Sequence, residues 1–292
     1  MRNVLVTGGA GTVGQAVVGK LLERGDRVTV LDGRDFHRPG HRHIRGRTYE
    51  PTAVTEALDG CTHAVHLEWS GTFADAEADP IGTSERNTSG SLRLFAACKA
   101  ADIPCLFAST ATYLGDADAP SNEEAPVNRK AFYAIQKSYV ENCLTAHART
   151  GLRGASLRIF NVYGSGGRPQ QIVNRILHAV RHGEPIRLTG DGGQKRDFVH
   201  VEDVATAVLA CLDSSRLVGQ AINVGTGTGT SLLELVQLSG KIAGRTPEIE
   251  FIPAKGEEAR YLFADTARAG EEMGWRAQTD LPTGLRKLFD LA

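Results

Sequence analysis

The chain has 292 residues and a mass of 31.3 kDa, and 41% of its residues are hydrophobic, enough to fill a sizeable core without metals or disulfides. Its 33 basic and 34 acidic residues leave a formal net charge of −1, which gives no support to nucleic-acid binding but leaves room for a local phosphate site. Met1-Arg2-Asn3-Val4 runs directly into a strand, with no signal-peptide core and no long apolar run, so a cytoplasmic protein without a membrane segment is expected. Cys61, Cys98, Cys105, Cys143 and Cys211 are well separated with no CxxC pair, and the histidines lack metal-ligand spacing. Buried thiols and no metal are therefore expected.

Val4-Leu5-Val6 predicts a short buried strand, Thr7-Gly8-Gly9-Ala10-Gly11-Thr12-Val13-Gly14 follows at once, and residues 15–24 predict a helix. Strand, glycine turn and helix together make the context of a dinucleotide fingerprint. Gly8 serves the tight turn, Gly11 lets backbone approach a pyrophosphate and Gly14 lets the helix lie close on the strand. The diphosphate would rest on the free N–H groups of the helix N-terminus. Arg27 to Leu31 forms the next strand and ends at Asp32, whose carboxylate can accept the ribose hydroxyls and would repel a 2′-phosphate. NAD is the expected cofactor. A cationic run follows Asp32: Arg34, His37, Arg38, His41, Arg42, His43, Arg45 and Arg47. One of these could bind a 2′-phosphate, but the plainer expectation is a solvated loop beside the adenine edge.

Further along, a weak strand is expected near 43–45, a helix over 52–58 and a strand over 64–67. Polar residues 70–84 read as a loop over the cofactor, and a helix runs from about 84 to 100. Strand 105–108 ends in Ser109-Thr110, residues 111–132 read as loop, helix 133–149 follows, and strand 155–160 leads into Asn161-Val162-Tyr163-Gly164. Strands separated by helices in this rhythm build a parallel sheet covered on both faces. The remainder is expected to form helices at 169–182, 202–213, 231–243, 265–273 and 281–291, with short strands at 186–188, 221–224 and 248–252. The expected fold class is α/β: a Rossmann-type doubly wound parallel sheet over 1–165 with returning segments about 196–228. A smaller, discontinuous, mostly C-terminal substrate-binding lobe would comprise 166–195 and 229–292. A cleft between the two is the expected active site.

Tyr133 and Lys137 stand four positions apart, on one face of their helix. An ammonium beside a phenol favours phenolate, so the Tyr133 pKa is expected to fall toward neutrality. Thr110, at the C-terminal edge of its strand, offers a hydroxyl that can share a substrate oxygen with Tyr133.

These residues carry a resemblance to the extended short-chain dehydrogenase/reductases of the NAD-dependent epimerase/dehydratase family, the group acting on nucleotide sugars. It rests on Thr7 to Gly14, Val30-Leu31-Asp32, His66-Leu67, Asn87-Thr88-Ser89-Gly90, Ser109-Thr110-Ala111-Thr112, Tyr133 to Lys137 with Glu141, and Phe160 to Gly164. Gly190-Asp191-Gly192, Arg196 to Val204 and Asp265 to Trp275 extend it over nearly the full length. The resemblance implies cofactor contacts from Gly8, Gly11, Thr12, Val13, Gly14, Asp32, Leu67, Asn87 and Lys137. It implies catalysis by Tyr133, Lys137 and Thr110, with NAD reduced and reoxidised within one turnover. Thr112, Asn161 and Arg168 would contact the sugar side of a nucleoside-diphosphate sugar. Arg196 would bind its diphosphate, together with a second cation at Lys255 or Arg260. A homodimer is implied through the helices near 84–100 and 133–150, with Leu92, Phe95, Tyr139 and Leu144 supplying apolar area.

Four departures from the family pattern stand out. Glu68 and Trp69 replace small residues, Gly46-Arg47-Thr48 lacks an acid, Ser165-Gly166-Gly167-Arg168 shortens the substrate loop, and Ala254-Lys255-Gly256-Glu257 replaces an arginine-proline-glycine-acid motif. Thr110 is followed by Ala111-Thr112 and not by acids, which resembles the 4-epimerase branch. A 4-ketoreductase, a 4,6-dehydratase and a non-catalytic NAD-binding sensor or interaction protein are the alternatives.

Overall fold

The computed structural model describes residues 1–114, 119–127, 131–214, 218–253 and 259–291. From the N-terminus run β1 (Asn3–Thr7), α1 (Thr12–Glu23), β2 (Arg27–Asp32), β3 (His41–Arg45), α2 (Pro51–Leu58) and β4 (His63–His66). Then come α3 (Phe73–Ala78), α4 (Pro80–Ala100), β5 (Cys105–Thr110), α5 (Phe132–Arg149), β6 (Gly154–Ile159) and β7 (Asn161–Tyr163). They are followed by α6 (Ile172–His182), β8 (Ile186–Thr189), β9 (Lys195–Arg196), β10 (Phe198–His200), α7 (Val201–Asp213) and β11 (Ala221–Val224). The chain closes with β12 (Thr230–Ser231), α8 (Leu232–Ala243), β13 (Ile249–Ile252), β14 (Tyr261–Leu262), α9 (Ala267–Met273) and α10 (Leu281–Leu291).

Seven strands form one parallel sheet in the order β11-β6-β5-β4-β1-β2-β3. Alternation within β1 divides the core. Val4 and Val6 pack with Val17, Val18 and Leu21 of α1 and Val204 and Val208 of α7. Leu5 faces the other way, into Leu94 and Phe95 of α4 and Val140 and Leu144 of α5. Strand order reverses at β1, between β2 and β4, and the crevice beyond the strand C-termini at such a switch point is where open α/β sheets bind ligands. The Rossmann-type reading of the sequence therefore matches the observed layers. Among the described residues no helix is long and apolar enough to cross a membrane.

A further core joins α6, β8, α8 and α10 through Val173, Ile176, Leu188, Leu235 and Leu285. Asp197 fastens this part to the main sheet. Its fully buried carboxylate accepts the N–H groups of Thr226, Gly227 and Ala264 and the Thr226 hydroxyl, which fixes the direction of Arg196 beside it.

The structure corrects two local expectations. Residues 70–84 are not simply loop. Thr72 caps α3 in a reciprocal pair with Asp75, Asp79 accepts the N–H of Gly82, and Pro80 opens α4. Capping at two successive starts overrides the polar composition of the stretch. Phe95 and Leu144 are fully buried in the sheet-facing core and offer no area to a second copy, whereas Tyr139 is 51% and Ile135 is 42% exposed.

Candidate active site

A cavity of about 530 Å³ opens over the C-terminal ends of β1, β2 and β4. Gly8, Gly11, Thr12, Val13 and Gly14 form its floor, and Asp32 and Leu67 its sides. Gly8 has φ +71° and a Cβ there would meet the Glu68 nitrogen at 2.7 Å, while a Cβ on Gly14 would meet the Gly8 oxygen at 2.3 Å. Both positions thus require glycine to let strand, turn and helix close on one another. The first turn of α1 carries no side-chain cap, so its N–H groups face the cavity unpaired by a capping side chain. The Thr12 hydroxyl donates to the Gly166 carbonyl at 2.7 Å, tying the fingerprint to the short loop before Arg168.

Asp32 is fully buried. Oδ1 accepts the Arg34 backbone N–H at 3.0 Å and Nε at 3.1 Å, and Oδ2 accepts Arg34 Nη2 at 3.0 Å and the Ala10 N–H at 3.0 Å. Burial pushes its pKa up, but the Arg34 fork and the backbone donors outweigh burial and hold the carboxyl below its usual range. Glu68 also lines this cavity. It accepts the Thr48 N–H at 2.9 Å and pairs with Arg47 at 3.4 Å, and burial pushes its pKa up despite those partners.

Toward the other end lie Tyr133 and Lys137. Burial pushes the Tyr133 phenol up to about 12, although a hydrogen bond with Thr110 and the charge of Arg168 act to lower it. Burial brings Lys137 down to about 7 against the opposing charge of Glu141. The expected fall of the Tyr133 pKa is therefore not found in the folded chain, because desolvation dominates at both groups. Lys137 Nζ donates to the Ala108 carbonyl at 2.6 Å and lies 3.9 Å from the centre of the Trp69 ring and 4.7 Å from that of Phe107. Trp69 in turn meets the Tyr133 ring edge-on and Phe73 meets it at a tilt, with centroids 6.0 Å and 5.9 Å away. The Thr110 hydroxyl lies 3.1 Å from that of Thr112. Glu141 anchors the same helix from behind, held by Arg158 at 2.7 Å and the Tyr113 hydroxyl at 2.6 Å.

A second cavity of about 610 Å³ continues from the first, with Thr112 and Phe73 lining both. Asn161 and Arg196 line it. Arg168 instead lines the first cavity, near Tyr133. Arg260 is exposed and pairs with Asp191 at 3.2 Å, next to the cavity-lining Ala259. Lys255 lies outside the described residues. Asn87 lies away from both linings. Its amide clamps the Ser70 N–H and carbonyl at 2.7 and 3.0 Å and so holds the loop that carries Gly71 and Thr72 into the first cavity.

The family model for the NAD dependent epimerase/dehydratase family matches residues 4–225. The chain belongs to this family. UDP-glucose 4-epimerase of Corynebacterium glutamicum is 29% identical over 304 residues, spanning 96% of this chain and 92% of that protein. UDP-glucuronic acid decarboxylase 1 of Danio rerio is also 29% identical, over 98% of this chain and 71% of its own length. The structure of Thermus thermophilus UDP-glucose 4-epimerase complexed with NAD superposes with a TM-score of 0.90 at 30% identity, covering 99% of this chain and 98% of that one. The cofactor of this NAD-dependent epimerase/dehydratase is NAD, and the glycine cradle that a Cβ would fill, with uncapped α1 amides above it, fits a dinucleotide diphosphate. In this family member the sequence reading missed three features of the site. Phe73 was hidden in a stretch that reads as loop, although Thr72-x-x-Asp75 signals a helix start. Arg175 and Arg187 line the second cavity, and Arg175 could have been found from its place opposite the apolar Val173, Ile176 and Leu177 face of α6. The Arg34 fork on Asp32 depends on loop conformation and left no signal beyond the cationic run.

Proposed function

We propose that the chain is an NAD-dependent 4-epimerase of a nucleoside-diphosphate sugar, oxidising the sugar C4 hydroxyl to a transient ketone and reducing it again from the opposite side. One observation carries the reading: Tyr133, which lines the first cavity, is hydrogen-bonded to Thr110, whose hydroxyl lies 3.1 Å from that of Thr112, a residue lining both cavities, and among the described residues the carboxylates lining those cavities, Asp32 and Glu68, are both paired with arginines. A proton can thus move at the sugar hydroxyl, while elimination of water would need a further acid and base beside the sugar. Bound NAD supplies the hydride acceptor and its return, and its nicotinamide charge favours phenolate. Tyr133 takes the C4 hydroxyl proton and later gives it back, with Thr110 sharing the same oxygen. Arg168 brings positive charge toward a phenol that burial otherwise keeps neutral, and Lys137 follows one helical turn after Tyr133. Thr112 and Asn161 would hold the sugar, and Arg196, with Arg260 or Lys255, the diphosphate. The relatives named UDP-glucose 4-epimerase favour uridine as the base. The same reading includes a homodimer built on the outer faces of α4 and α5, where Ile81, Ile135 and Tyr139 are exposed; a monomer in sedimentation would refute that part.

Incubation with a panel of nucleoside-diphosphate sugars, followed by mass spectrometry and NMR, tests the reaction. The expected product has unchanged mass, inverted C4 and no solvent deuterium there. Loss of water would instead assign a dehydratase, loss of carbon dioxide a decarboxylase, and stoichiometric consumption of added reduced cofactor a ketoreductase.

A further inference from the structure

The adenosine end of the first cavity follows from β2 and the loop after it. A carboxylate offers about four acceptor positions, and those of Asp32 are met by Arg34 N, Nε and Nη2 and by Ala10 N at 3.0–3.1 Å. A ribose diol therefore meets a carboxylate whose acceptor positions are already in use, and its charge is neutralised by a guanidinium. Arg34 itself is 52% exposed at its side chain and lines the cavity, and its fork to Asp32 uses only Nε and Nη2. Arg47 stands on the opposite side, 4.0 Å from Asp32 Oδ1, and lines the same cavity. Its guanidinium lies flat on Gly33, where any Cβ would come within 2.3 Å of Nε, so the backbone just past Asp32 is shaped to receive it. Glu68 meets Arg47 at 3.4 Å. Asp32, Glu68, Arg34 and Arg47 together carry no net charge, and both cations reach the cavity.

We propose that this end of the site admits a 2′-phosphate, so that the chain binds NADP as well as NAD. An unpaired carboxylate at the end of β2 repels that phosphate, whereas one forked by Arg34 does not. The phosphate gains charge-assisted hydrogen bonds from Arg34 and Arg47 that the plain ribose does not make.

Isothermal titration of the nucleotide-free protein with NAD and NADP, in the absence of sugar, tests this. The Kd for NADP should lie within about tenfold of that for NAD, and 2′,5′-ADP should bind more tightly than 5′-ADP. Arg34→Ala should weaken NADP about 10- to 100-fold, the range of a lost charged hydrogen bond, while NAD binding holds or tightens as Asp32 is released. Arg34→Lys, which keeps the charge and removes the fork, should retain part of the NADP affinity and secures the test if the alanine variant misfolds. A wild-type gap wider than tenfold in favour of NAD, or an Arg34→Ala change equal for both cofactors, would overturn the proposal. The readout involves no sugar chemistry, so its failure leaves the 4-epimerase reading intact, and failure of that reading leaves the binding result standing.

Discussion

Lys137 should be a residue whose removal stabilises the ligand-free fold while ending activity. Its ammonium is buried beneath Trp69 and Phe107, and burial brings its pKa from the ordinary 10.5 down to about 7. At about 1.4 kcal/mol per tenfold change in proton affinity, the folded state at pH 7 or below carries a penalty on the order of 4 kcal/mol. Lys137→Met replaces the stem with a flexible apolar chain that can stay under the indole, but it loses the Nζ bond to the Ala108 carbonyl at 2.6 Å and the contact with the ring. Those losses return about 2 kcal/mol, leaving a net gain of about 2 kcal/mol. For a chain of this size the melting temperature of the nucleotide-free variant should rise by roughly 3 °C at pH 7. The pH dependence supplies a second signature. Between about 7 and 10.5 the unfolded chain binds the Lys137 proton and the folded chain does not, so wild-type stability rises with pH across that window. The variant should lack that rise and its advantage should shrink toward pH 10. Chemical denaturation at pH 7 and pH 9.5 measures both. A variant less stable than wild type at pH 7, with an unchanged pH slope, would show that Lys137 is accommodated as a charge and refute the reasoning.

Tyr133→Phe should abolish turnover while leaving NAD affinity within experimental error in titration, and Thr110→Ala should lower kcat by about 10²-fold if it shares the substrate oxygen. His66, buried between the hydroxyls of Thr7 at 2.7 Å and Ser91 at 2.8 Å, has its pKa lowered by burial to about 3. Its folded value lies below its unfolded one, so its contribution is intact above about 6.5 and is lost as pH falls toward 3, by about 3 to 5 kcal/mol; His66→Gln should flatten that part of the acid-unfolding profile. Glu68→Ala should cost about 1 to 3 kcal/mol by leaving the buried Thr48 N–H unpaired, and Arg47→Ala about 2 kcal/mol by isolating Glu68. In a denaturation cycle the double variant should lose at least about 0.5 kcal/mol less than the two losses added together.

Much of this architecture could be read from residue order because its causes are local. Gly8 and Gly14 are dictated by a turn and a close contact within their own segment, and the Tyr133–Lys137 spacing follows from helical geometry. Phe73 was missed because a polar stretch concealed two helix starts, although Thr72, Asp75, Asp79 and Pro80 were all in view. The electrostatics were not legible in the same way. Spacing places Lys137 on the face of Tyr133, but its charge is decided by Trp69 from the end of β4, Phe107 from β5 and the Ala108 carbonyl. Phe95 and Leu144 show the same difficulty. Apolar residues on two neighbouring helices serve either a core or an interface, and only the packed sheet shows that these two face inward.

The two substitutions at the cofactor cavity that look separate in the sequence are physically one. Arg47 stands in a segment that lacks an acid, and Glu68 is an acid at a strand end where small residues were expected from the resemblance, yet their charged groups meet at 3.4 Å. Without Arg47 the buried Glu68 carboxylate would lose its cation and keep its contact with Thr48. With Asp32 and Arg34 beside them, the adenosine end of the cavity is balanced before any ligand arrives. At the end that holds Tyr133 and Lys137, burial opposes ionisation of both groups. A bound ligand that brings charge and excludes water therefore changes little at the first end and much at the second. Under the proposed reaction Tyr133 is the group that exchanges a proton, so a change in its environment would alter reactivity most there.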